Sequence, residues 1–103
     1  KWIHSIGMQD PAVTTSLYAP NAVLIGTFAE DLAIGQDAIY MYFKGLFQKK
    51  GLQAKLVSLH VQESDSIASG IYKFTHSEGE ALARFSFVFE GGKIINHHSS
   101  LIP

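Results

Sequence analysis

The chain has no cysteine among its 103 residues, which removes disulfides, thiolate metal ligands and a thiol nucleophile together. Charge is scarce too. Asp, Glu, Lys and Arg make up 17% of the chain against 47% hydrophobic residues, the balance of a folded domain rather than a disordered segment. Eight basic residues against nine acidic ones leave a net charge of −1, so there is no excess of cations to build the basic face of a general nucleic-acid binder. No apolar run is long enough for a membrane-spanning helix, and no membrane partner is expected. A Gly-rich phosphate loop is absent, as is a nucleophile elbow around Ser99. Residues 1–10 carry no signal- or transit-peptide pattern, although the chain does not begin with Met. A trimmed piece, or one domain of something longer, is compatible with that start.

The length suits a single domain over residues 1–103. So small a domain with so few charges exposes apolar surface, and a homodimer is the expected way to cover it. Residues 1–17 read as a broken helical stretch. Trp2, Ile3 and Ile6 fall at helical spacing, and Asp10-Pro11 forms an N-cap followed by the first position of a second short helix, residues 11–18. Ala19-Pro20-Asn21 is a turn signal. Residues 22–28 form a β-run with a hairpin partner at 32–34. Residues 36–50 are the clearest helix, with Ile39, Phe43, Leu46 and Phe47 on one stripe, Tyr42 at its edge and Gly51 as a stop. Four strands follow, at 52–63, 66–76, 80–90 and 93–102, joined by turns at Ser64-Asp65, at 77–79 and at Gly91-Gly92. In the first of them Val57, Leu59 and Val61 alternate with Ser58, His60 and Gln62. Helices packed on one face of a curved antiparallel sheet give an α+β domain with a cone-shaped cavity, a good shape for a small ligand.

The least ordinary string is Asn96-His97-His98-Ser99-Ser100. Strand alternation puts His97 and Ser99 on one face with Ile95 and Leu101, and His98 and Ser100 on the other with Asn96 and Ile94. His97 with Ser99 offers a proton acceptor beside a hydroxyl, but spacing alone favours two hydrogen-bonded histidines at a polar dimer interface. Adjacent strand residues point apart, so His97 and His98 cannot share an ion, and the other histidines lack ligand spacing; no metal site is expected. Arg84 is the only arginine, on the strand face opposite Phe85, Phe87 and Phe89. It either clamps an anion such as a carboxylate or bicarbonate, or pairs with a neighbouring carboxylate. Thr27, Tyr42 and Tyr72 each read first as half-buried residues with a satisfied hydroxyl.

The strings at 83–89 and 92–103, with Asp10-Pro11, residues 17–24 and residues 70–74, resemble the NTF2-like superfamily over nearly the whole chain. More narrowly they are similar to the branch related to the calcium/calmodulin-dependent kinase II association domain, and the His-His-Ser-Ser ending to iota-class carbonic anhydrases. The resemblance implies an α+β cone-shaped barrel, dimeric, with its pocket between sheet and helices. For the iota class it implies hydration of carbon dioxide to bicarbonate, in some members without metal, and here with no cofactor. The family's threonine, tyrosine, histidine and serine fall on Thr27, Tyr42, His97 and Ser99. Arg84 and Tyr72 would then steady bicarbonate. Departures are Gly26 in place of Pro, Ile102 in place of Met, and Gly91-Gly92 where the branch usually carries Trp. They bear on activity rather than fold. Two other functions suit the same scaffold. One is a non-catalytic module that binds a small molecule, such as a carboxylate, or assembles into oligomers. The other is a ketosteroid-isomerase- or polyketide-cyclase-like enzyme, which needs a pocket carboxylate, whereas the acidic residues here fall mainly in turns and strand ends.

Overall fold

The computed structural model describes residues 1–62 and 66–103; the turn expected at Ser64-Asp65 lies outside them. Two short helices open the chain, α1 (Trp2–Met8) and α2 (Pro11–Thr15). Gln9 ends α1 in the left-handed region at φ 55°, and the Asp10 carboxylate accepts the Ala12 N–H at 3.0 Å to start α2, with Pro11 at the first helical position. The broken helix is therefore two capped helices. The third helix, α3 (Gln36–Leu46), buries Ile39, Phe43 and Leu46 and stops one turn short of residue 50.

Six strands form one sheet: β1 (Tyr18–Ile25), β2 (Ala33–Ile34), β3 (Gln53–Val61), β4 (Ile67–His76), β5 (Gly79–Glu90) and β6 (Lys93–Leu101), in the order β2-β1-β6-β5-β4-β3. Every pairing is antiparallel except that of β1 with β6, so the sheet is mixed rather than wholly antiparallel. The sheet curves over the helices, as an α+β cone requires. Gly91 and Gly92, both at positive φ, make the tight β5–β6 turn that hairpin chemistry demands.

Three irregularities shift side chains off the faces that strict alternation assigns. Ala19-Pro20-Asn21 is no turn between elements but lies inside β1, where pairing with β6 jumps from Tyr18↔Ile94 to Val23↔Asn96. Proline has no N–H for a ladder, so it is accommodated where the pairing is interrupted. Tyr18 accordingly begins a strand instead of closing a helix. In β6 the register slips between Val88↔Asn96 and Phe89↔Ile94, leaving Ile95 as the extra residue; Ile94 joins His97 and Ser99 on the inner face. In β3 the slip falls at Val57, so Leu56, Leu59 and Val61 lie opposite the inward Tyr72, Gly70 and Ala68.

At that third bulge β3 folds tightly against β4. A Cβ on Gly70 would lie 2.1 Å from the Ser58 carbonyl oxygen and 3.1 Å from Phe85. Backbone cannot yield as a flexible side chain can. Gly70→Ala is expected to cost about 2 kcal/mol, within the overpacking range, read as a lower urea midpoint with an unchanged slope.

Candidate functional site

The interior is lined by the inward faces of β1, β4, β5 and β6 and by α1 and α3, and one side chain stands in its middle. Trp2, 8% exposed, stacks on Tyr72 with centroids 5.1 Å apart and 11° between planes. Its ring also meets Phe87 at 5.5 Å and His97 at 5.1 Å, both edge-on. Tyr72 in turn stacks on Phe85 at 4.5 Å. Trp2, Tyr72, Phe85, Phe87 and Phe89 give aromatic walls to a cavity of about 390 Å³, with Leu56 and Leu59 of the edge strand β3 completing it. The lining includes no Asp or Glu. Thr27, Tyr42, His97 and Ser99 do not line it either.

Three of them, Thr27, His97 and Ser99, belong to a separate polar cluster that meets the cavity through Trp2 and Tyr72. His97 is buried at 2% exposure, with Phe87 stacked on its ring at 3.9 Å. Its Nδ1 is 2.7 Å from the Tyr18 hydroxyl, and its Nε2 is 3.2 Å from the Tyr72 hydroxyl. The Trp2 indole N–H donates to the Tyr18 oxygen at 2.9 Å. The hydroxyls of Ser99 and Thr27 hydrogen-bond to each other and lie within reach of Tyr72. Tyr42 stands beside this cluster with its hydroxyl held by backbone, accepting the Phe28 N–H at 3.4 Å. Only glycine permits that placement: a Cβ on Gly26 would sit 2.2 Å from the Tyr42 ring. The departure from proline at position 26 thus has a steric counterpart in the tyrosine.

Arg84 is not in this cluster. It is exposed on the outer face of β5, across the sheet from inward Tyr72, so the two cannot hold one anion between them. The reason is alternation along β5, where Ala83 and Phe85 take the inner positions. Sequence reasoning missed Trp2 and Tyr18. The available signal was the single tryptophan, placed on the apolar side of the first helix; nothing in the spacing marks Tyr18, which read as a helix end.

Burial governs the electrostatics. It pushes the Tyr18, Tyr42 and Tyr72 hydroxyls above the ordinary phenol value, so all three are neutral hydrogen-bonding groups near pH 7. Burial, with a smaller contribution from neighbouring His98, lowers His97 from 6.5 to about 3. The imidazole is neutral and a weak base. Among the described residues no three His, Cys, Asp or Glu gather as metal ligands.

The family of SnoaL-like domains matches residues 1–103. The chain belongs to this family. No curated protein matches it. Among solved structures, this SnoaL-like domain is similar to a Xanthomonas campestris protein assigned as a calcium/calmodulin-dependent protein kinase II association domain, at 29% identity and TM-score 0.83, covering 99% of this chain and 81% of that one. The epoxide hydrolase/cyclase-like enzyme SalBIII, of pyran ring formation in the polyether salinomycin, superposes with TM-score 0.85 at 13% identity, covering 98% and 84%. A Sinorhizobium meliloti protein assigned as a polyketide cyclase gives 0.80 at 16%, covering 95% and 88%. The last two identities bear on the fold alone. The fold is NTF2-like, as the sequence resemblance implies.

Because His97 binds its proton less readily in the folded state, the unfolded chain takes up more protons between pH 6.5 and about 3. The stability that neutral His97 carries is complete above pH 6.5 and is lost as pH falls through that window, by about 1.4 kcal/mol per pH unit. Urea midpoints measured from pH 7 to pH 4 should fall, and His97→Gln should flatten the decline.

Proposed function

We propose that this SnoaL-like domain binds a small, neutral, largely apolar molecule in the aromatic cavity. The observation that carries the reading is the wall of Trp2, Tyr72, Phe85, Phe87 and Phe89 around about 390 Å³ without a carboxylate. Ligand pockets run from roughly 300 to 1,000 Å³ and are mostly apolar, so the volume and lining suit one compact, ring-bearing ligand. Flat aromatic faces favour stacking and shape matching over ionic recognition. Among similar folds, one protein is described as acting in pyran ring formation and another is assigned as a polyketide cyclase, so the scaffold is compatible with a small-molecule cavity. A carboxylate-driven isomerisation draws no support from the cavity, because proton abstraction beside a carbonyl needs a base there.

Carbon dioxide hydration finds less support. Thr27, Ser99, Tyr72 and His97 do stand together, but their polar atoms bond to one another. Both His97 nitrogens are engaged and its pKa is about 3, far from the value of an effective base at neutral pH. None of the comparisons points to that reaction.

The only tryptophan of the chain lines the cavity, so its fluorescence reports occupancy. Titration with 1-tetralone, a neutral bicyclic ketone, should change the Trp2 emission saturably, whereas bicarbonate should not. Ala68→Phe, which places a ring in the cavity wall, should weaken the tetralone response at least tenfold with the circular dichroism spectrum preserved. Carbon dioxide hydration above the buffer rate, with no response to tetralone, would reverse the assignment.

A further inference from the structure

The interior hydrogen bonds form one line: Trp2 to Tyr18, Tyr18 to His97, and His97 to Tyr72. We propose that Trp2 and Tyr18 are positioning residues that hold the His97 ring as its Nε2–H tautomer, so that the line from Trp2 to Tyr72 runs in one direction.

The direction is set by the donor and acceptor capacity of each group. An indole N–H only donates. The Tyr18 oxygen therefore accepts from Trp2, and its one proton needs an acceptor. Among the described residues, the other partner of that hydroxyl is His97 Nδ1. Nδ1 must then be the unprotonated nitrogen, and the ring proton sits on Nε2, donating to Tyr72. The opposite tautomer would aim two donors at the Tyr18 oxygen and leave the Tyr18 proton buried without an acceptor. Such an orphan disfavours that tautomer by roughly five- to 150-fold. Tyr18 cannot turn away, since it is fully buried and its backbone carbonyl accepts from the Gln36 side chain at 2.9 Å.

Beyond His97 the same logic makes Tyr72 the acceptor of the Nε2–H, which leaves its own proton to be donated onward.

The inference does not depend on the ligand of the aromatic cavity, since no ligand enters its test. In protein labelled with ¹⁵N-histidine at pH 7, His97 should show Nδ1 as an unprotonated, hydrogen-bonded nitrogen and Nε2 as the protonated one, with the other tautomer at about a fifth or less. A protonated Nδ1 overturns the proposal outright. In Tyr18→Phe the Nδ1 resonance should move to that of an unbonded acceptor nitrogen, and in Trp2→Phe part of the way. An unmoved Nδ1 in either folded variant removes that residue from the proposal. Should a variant fail to fold, the wild-type tautomer still decides the direction.

Discussion

Taking an imidazole out of water is costly unless both ring nitrogens find partners at fixed positions. His97 meets that condition with two phenols, Tyr18 from the first strand and Tyr72 from the fourth, while Phe87 covers a ring face. Those partners come from strands that are not neighbours of each other, one on the parallel side of β6 and one beyond β5. The ring thus ties together strands across the breadth of the sheet. Burial keeps it neutral, and neutrality is what allows one nitrogen to accept while the other donates. A protonated ring would present two donors to a cluster already supplied with the Trp2 N–H and the hydroxyl protons.

Trp2 is the second element of this arrangement, and it does two things at once. Its N–H extends the hydrogen-bonded line, and its ring faces fill the centre of the cone. The indole separates the polar cluster from the apolar cavity, so a domain of 103 residues contains a packed polar interior and a space for a ligand side by side. The short first helix is sufficient for this. It needs only to deliver one large side chain, and the left-handed cap at Gln9 followed by the Asp10 cap turns the chain sharply once that is done.

Much of the architecture could be read from pattern. The Asp10-Pro11 start, the helical stripe through Ile39 and Phe43, and the Phe85-Phe87-Phe89 face each obey local rules that tertiary packing did not override. What escaped was set by irregularity. A bulge adds one residue and reverses the parity of the strand beyond it, and no pattern announces it, so Ile94 rather than Ile95 shares the inner face with His97. Pro20 reads as a turn in any local scheme, whereas the structure uses it inside a strand where pairing is interrupted. Arg84 illustrates the opposite difficulty. Its face could be assigned by alternation, but which face of the sheet covers the helices is a property of the whole fold. Tyr18 was illegible because its role depends on Trp2 and His97, which are distant in sequence from it and from each other.

The separation of cavity from polar cluster also constrains chemistry. A molecule in the aromatic cavity meets the walls formed by Trp2, Phe85 and Phe87, while the Tyr72 hydroxyl is turned toward His97. For His97 to act directly on such a molecule, Trp2 would have to move. That motion would withdraw the donor from Tyr18 and break stacking on Tyr72 in the same step. Trp2 and Phe87, both in the cavity wall and both packed on the His97 ring, keep the cavity and the imidazole apart. The residues that look most chemical in the sequence are, by their position, the ones that hold the interior together, and the rings around them wall the cavity.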